Sequence, residues 1–188
     1  MKSKIALVAL LSLAAIPALA HIHTYAGTFS GAAENPSNGS AGTGSTLITI
    51  DLDLFTMRVQ SSFSGMTGNT TASHIHVPTA FGLNGGVATQ TPSFTGFPLG
   101  VTAGTYDHTF DMTQASSYNP TFITNNGGTV STAFTAFFNA LEQGRAYHNI
   151  HSNVFPGGEL RANLTPVPEP ATLAVLGLGG LALLRRRK

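Results

Sequence analysis

The 188-residue chain has no cysteine. That absence excludes disulfide staples, thiolate metal sites and a cysteine nucleophile, so an exported form must be held by an apolar core. Charge is scarce as well, with Asp, Glu, Lys and Arg making up 9% of the residues. No Lys/Arg stripe is present to release counterions from phosphates, which argues against a nucleic-acid partner. There is no Gly-x-Ser-x-Gly elbow and no internal repeat of fixed period. Glu34 and Glu159 are the acids nearest the distinctive segments, but no spacing puts them together as a hydrolytic pair.

The formal net charge of +1 misleads, because six of the nine cations lie at the two ends. Between residues 21 and 165 the cations are Arg58, Arg145 and Arg161, against Glu34, Asp51, Asp53, Asp107, Asp111, Glu142 and Glu159, a net charge of −4. The ends read as addresses. Lys2 and Lys4 precede an apolar run from Ile5 to Ile16, and Ala18-Leu19-Ala20 fits a secretory cleavage site. The expected divisions are a signal peptide over 1–20, a domain over 21–165 and a C-terminal signal over 166–188.

That last signal has three parts in order: Pro168-Glu169-Pro170, an apolar run from Ala171 to Leu184, and Arg185-Arg186-Arg187-Lys188. It resembles the PEP-CTERM sorting signal of Gram-negative bacteria. The resemblance implies export, transient inner-membrane association through the C-terminal segment, and processing by an exosortase after signal peptidase has acted. It also implies an envelope or exopolysaccharide setting of the kind found in biofilms.

The middle reads as short strands between Gly/Ser/Asn/Thr-rich turns: 25–30, 45–54, 56–63, 72–77, 104–112, 146–151 and 159–164. One late helix is expected over 130–143, where Phe134, Phe137, Phe138 and Leu141 recur at helical spacing before Gly144. The fold class is therefore an all-β antiparallel sandwich or barrel with one late helix.

The chemistry concentrates in histidine. In an extended strand His74 and His76 point to one face, as two thirds of a three-imidazole metal site would. His148 and His151, three apart, point to opposite faces of a strand, and His151 is the better third ligand. Copper or zinc suits such neutral nitrogens. A hydrogen-bonded structural pair is the competing expectation. Cleavage after Ala20 would expose His21-Ile22-His23, whose free amine and imidazoles form a weaker copper-chelating candidate.

Ala72-Ser73-His74-Ile75-His76, the run Tyr147 to Leu164, Phe29 to Pro36 and Gly42-Thr43-Gly44 together resemble the CHRD domain over about residues 25–164. Ser73, His148 and Ala162 depart from its usual residues. The resemblance implies an immunoglobulin-like β-sandwich, and the His-x-His plus distant His pattern is similar to that of copper,zinc superoxide dismutase. Residues 78–100 contain neither His nor Asp, so ligands for a second metal are missing. Arg161 is expected to pair with Glu159 or Asp51, with an anion-guiding role as the alternative. The family brings no established enzymatic activity, and a non-enzymatic role is the expectation. A polysaccharide or protein partner is a further candidate, signalled if Phe81, Phe94 and Phe97 are exposed.

Overall fold

Alternation sets the strands. In Thr56–Ser64, Met57, Val59, Ser61 and Phe63 are buried while Arg58, Ser62 and Ser64 face out, the period-2 pattern of a sheet with one face on a core. The computed structural model describes residues 21–168. The expected signal peptide (1–20) and the sorting residues Glu169, Pro170, Arg185, Arg186 and Arg187 lie outside them. The strands are β1 (Ile22–Ser30), β2 (Thr43–Asp51), β3 (Thr56–Ser64), β4 (Thr70–Val77), β5 (Gly86–Val87), β6 (Gly104–Asp111), β7 (Tyr147–Ser152), β8 (Leu160–Asn163) and β9 (Thr165–Pro166). All pairings are antiparallel.

The order β5-β4-β7-β8-β1-β2-β3-β6, with β9 added on β1, makes one curled sheet, a half-barrel of sandwich-like build. Its two halves meet at a narrow seam, where β1 and β8 share the single pair Ser30↔Arg161. Tyr25, Phe29, Ile48, Met57, Ile75, Phe110, Ile150 and Leu160 fill the space between the halves. Each such burial stabilises by about 1.5–3 kcal/mol.

The expected late helix is α2 (Val130–Glu142); the short α1 (Pro120–Asn125) precedes it. The Asn119 side chain caps α1 by accepting from Thr121 N, and Pro120 occupies a first-turn position that needs no N–H. Thr129 and Thr132 form a capping box at the start of α2, and Gly144, at φ 63°, follows its end. Ala133, Phe134, Phe137, Ala140 and Leu141 are buried, so the aromatic face of α2 packs on the sheet. The expectation of a single helix is corrected by α1 and two 3₁₀ turns. The two-residue strands β5 and β9 have no alternation to betray them.

Candidate metal centre

β4 and β7 pair with Ala72 opposite His151, His74 opposite Asn149 and His76 opposite Tyr147, after an irregularity between Thr70 and Ala72. This register puts His74, His76 and His151 on one face of the sheet and Ser73, Ile75, His148 and Ile150 on the other. The first three rings are neighbours, with centroids 5.3 Å apart for His74 and His76 and 4.8 Å for His74 and His151. One nitrogen from each lies within 4.8 Å of the other two. Tetrahedral ligation at 2.0–2.1 Å bonds places nitrogens about 3.4 Å apart, so small ring rotations would close the set.

Each ring is oriented by a main-chain carbonyl. His74 Nε2 donates to Pro92 O at 3.0 Å, His76 Nδ1 to Gly85 O at 2.9 Å and His151 Nδ1 to Pro156 O at 2.9 Å. A carbonyl only accepts, so each bonded nitrogen carries the proton and the opposite nitrogen keeps a lone pair. Those opposite atoms, His74 Nδ1, His76 Nε2 and His151 Nε2, are buried and have no hydrogen-bond partner. Ser61 Oγ is the one other such side-chain atom among the described residues. Three of the four orphans thus belong to one cluster of rings, and an unsatisfied buried group costs about 1–3 kcal/mol. A bound cation removes that penalty. The donor set fits zinc or copper: three neutral imidazoles and no thiolate.

The electrostatics agree. Burial pushes the pKa of His74 down to about 4, helped by repulsion from His151 and His76 and opposed by the Pro92 carbonyl. Burial does the same for His76, to about 4, opposed by the Gly85 carbonyl and helped by His151 and Arg161. His151 is lowered by burial and partly restored by Pro156. All three rings are neutral at neutral pH, the form in which an imidazole can take up a metal.

A stack supports the centre. His76 lies flat on Tyr147, with centroids 4.8 Å apart and planes within 5°, and the Arg161 guanidinium sits 3.6 Å from the Tyr147 ring centre. Arg161 is fully buried and donates to Asn163 Oδ1, Asn84 Oδ1 and Leu83 O. The expected pairing with Glu159 or Asp51 is therefore corrected. Glu159 instead accepts from Ser40 Oγ and from the backbone N–H groups of Thr67 and Gly68, and Asp51 accepts from Asp53 N and Leu54 N within its own turn. Leu83, Asn84 and Gly85 lie in a loop with no periodic pattern, so the partners of Arg161 and His76 had no sequence signal.

His148 stands apart from the centre. It is fully buried on the core side between Thr46 and Ser73. Ser73 Oγ spends its proton on Asn149 O at 3.0 Å, so His148 Nε2 donates to Ser73 at 2.7 Å. Nδ1 then accepts from Thr46 Oγ1 at 3.0 Å. Both nitrogens are spoken for, and His148 as a weaker metal candidate is corrected to a core residue. His21 and His23 lie at the other end of β1. His21 Nδ1 is 3.1 Å from Asp53 Oδ1, and His23 Nδ1 is 3.2 Å from Glu142 Oε1; neither joins the three-ring centre. Phe94 and Phe97 are buried and Phe81 is exposed, so one of three aromatics stays available to a partner.

The fold and its histidine face define an antiparallel, sandwich-like β-sheet protein with three clustered imidazoles. Residues 25–164 match the CHRD domain model, and the chain belongs to the CHRD-domain family. Residues 166–188 match the PEP-CTERM protein-sorting motif, which makes the chain an exosortase-processed protein of the Gram-negative cell envelope or extracellular space. Neither a curated protein nor a solved structure matched the chain.

Proposed function

We propose that the protein is an extracytoplasmic metal-binding protein that holds one Zn(II) or Cu(II) ion through His74 Nδ1, His76 Nε2 and His151 Nε2. The observation that carries this reading is the convergence of three buried, partnerless ring nitrogens, each fixed in its tautomer by a carbonyl on the far side of its ring. Arg161 keeps positive charge near His76 and so disfavours imidazolium over ligand. The ion's contribution is stability and binding, and with copper also electron transfer. The role is non-enzymatic and belongs to the envelope or the exopolysaccharide matrix, reached by signal-peptide cleavage after Ala20 and by transient inner-membrane anchoring through the C-terminal apolar run.

Calorimetric titration with Zn(II) and Cu(II) tests the reading. One equivalent should bind the wild type, and none should bind a His74→Ala/His76→Ala variant. Equal binding by both proteins, or none by the wild type, refutes it.

A further inference from the structure

The two addressed ends of this chain leave the fold at the same place. β9 pairs with β1 through Tyr25↔Pro166 and Ala26↔Thr165, and Val167 N donates to Thr24 O at 2.8 Å. The chain therefore runs antiparallel to β1, toward the residue at which β1 is entered from the N-terminal side. Leu52 N donates to His21 O there, which ties the entry point to the β2–β3 turn. The sequence begins its C-terminal apolar run at Ala171, three residues past Pro168. Three extended residues reach at most about 10 Å.

That end of the sandwich is apolar at its tip. Four of the ten exposed large hydrophobic residues among those described are gathered at it: Ile22, Leu54, Phe55 and Val167, with Leu54 69% and Phe55 46% exposed. The tip is preorganised. Asp51 Oδ1 accepts from Asp53 N and Leu54 N, and Phe55 O accepts from Met112 N at 2.8 Å. Phe55 is the one non-glycine residue at positive φ, 51°, among the described residues, a conformation unusual for a bulky side chain. Its ring rests edge-on against Phe134 of α2. The nearby Asp53 is hydrogen-bonded to His21, and Asp51 and Asp111 flank the same end of the sheet.

We infer that the β2–β3 turn, led by Leu54 and Phe55, docks on the lipid bilayer while the C-terminal signal is held for processing. The inference rests on the anchoring proposed above and adds an orientation to it. Leu54 and Phe55 enter the headgroup–acyl boundary, a layer about 5–10 Å deep for interfacial apolar groups. The row His74, Asn149, Arg161, Ser30 lies across the sheet at the far end of β1, about 27 Å along the strand from Ile22. The histidine centre therefore faces away from the membrane.

The chain contains no tryptophan, so a single introduced indole reports one position. Full-length Leu54→Trp and Leu99→Trp variants are mixed with phosphatidylethanolamine/phosphatidylglycerol vesicles and floated. Their emission is then quenched with brominated lipids. Leu99 is a fair control because it is 52% exposed and adjoins Gly100, which bonds to Thr70 at the far end. The expected result is that both variants float and that quenching is several-fold stronger at position 54. Flotation with no quenching at 54, or with equal quenching at 54 and 99, overturns the docking and leaves anchoring intact. Failure of both variants to float overturns the anchoring, and the docking with it.

Discussion

Two faces of the same pair of strands treat histidine in opposite ways. On the core side, His148 of β7 has both nitrogens bonded, to Thr46 and to Ser73. On the other side, His74, His76 and His151 each have one nitrogen bonded to a carbonyl and one left bare. All four rings are kept neutral by burial, His148 most strongly, at about 3. Burial is thus common to both faces and does not tell a ligand from a structural residue. The count of unsatisfied nitrogens does, since a closed hydrogen-bond network leaves nothing to give a metal.

The sharpest way to break the comparison is to delete from each face. His74→Ala/His76→Ala should abolish stoichiometric binding of Zn(II) or Cu(II), while the metal-free protein keeps its stability to within about 1 kcal/mol, because two orphaned acceptors leave with the rings. His148→Leu should do the reverse. It strands the Thr46 hydroxyl in the core, removes the donor to Ser73 Oγ, whose own bond to Asn149 O stays, and should lower unfolding stability by about 2–4 kcal/mol, with metal stoichiometry unchanged in the folded fraction. Chemical denaturation and metal analysis on both variants check the pair. If His148→Leu loses the ion while remaining folded, the division between the faces fails.

Acid should sharpen the comparison next. An unfolded imidazole titrates near 6.5, whereas the folded rings titrate at about 4 for His74 and His76 and about 3 for His148. Below pH about 6.5 the unfolded chain takes up protons that the folded chain refuses, so stability falls as pH falls. Metal-free protein should be flat with respect to these groups above that pH. Below it, each histidine contributes a loss of up to about 1.4 kcal/mol per unit, ending near pH 4 for the outer pair and continuing toward pH 3 for His148. Denaturation midpoints across pH 3–8, compared with the His148→Leu variant, resolve the two ranges.

Smaller effects lie outside the contact set. Tyr147→Leu removes the surface on which His76 and Arg161 stack, and metal affinity should drop by about 10-fold, the lower range for a residue that orients a ligand. His21→Ala should leave metal stoichiometry unchanged, since His21 lies against Asp53 at the other end of β1. Titration calorimetry reads both.

Much of the architecture was legible because periodicity is a local signal. Alternation in 45–54 marked β2, and the Phe134, Phe137, Leu141 spacing marked α2. The shared face of His74 and His76 followed from strand geometry alone, as did the separation of His148 from His151. What escaped was non-local. Thr46 is 102 residues from His148, and the two meet only after β2 folds across β7. The carbonyls of Pro92, Gly85 and Pro156 that fix the tautomers are main-chain atoms in aperiodic loops. Arg161 was expected to pair with Glu159 or Asp51, but the aromatic face of Tyr147 and three neutral acceptors hold it, with Glu34 the carboxylate close enough to favour its charge. Side-chain identity pointed to imidazole as the candidate donor, and chain topology determined which nitrogen is free.

The most direct measurement is long-range ¹H–¹⁵N NMR of the histidine rings before and after one equivalent of Zn(II). His74 Nδ1, His76 Nε2 and His151 Nε2 should move to metal-bound shifts. The opposite nitrogens should stay protonated, and His148 should keep its Nε2–H tautomer. Zinc-induced shifts at His148, His21 or His23 in place of those three, or no shift at any of them, would contradict the three-histidine site.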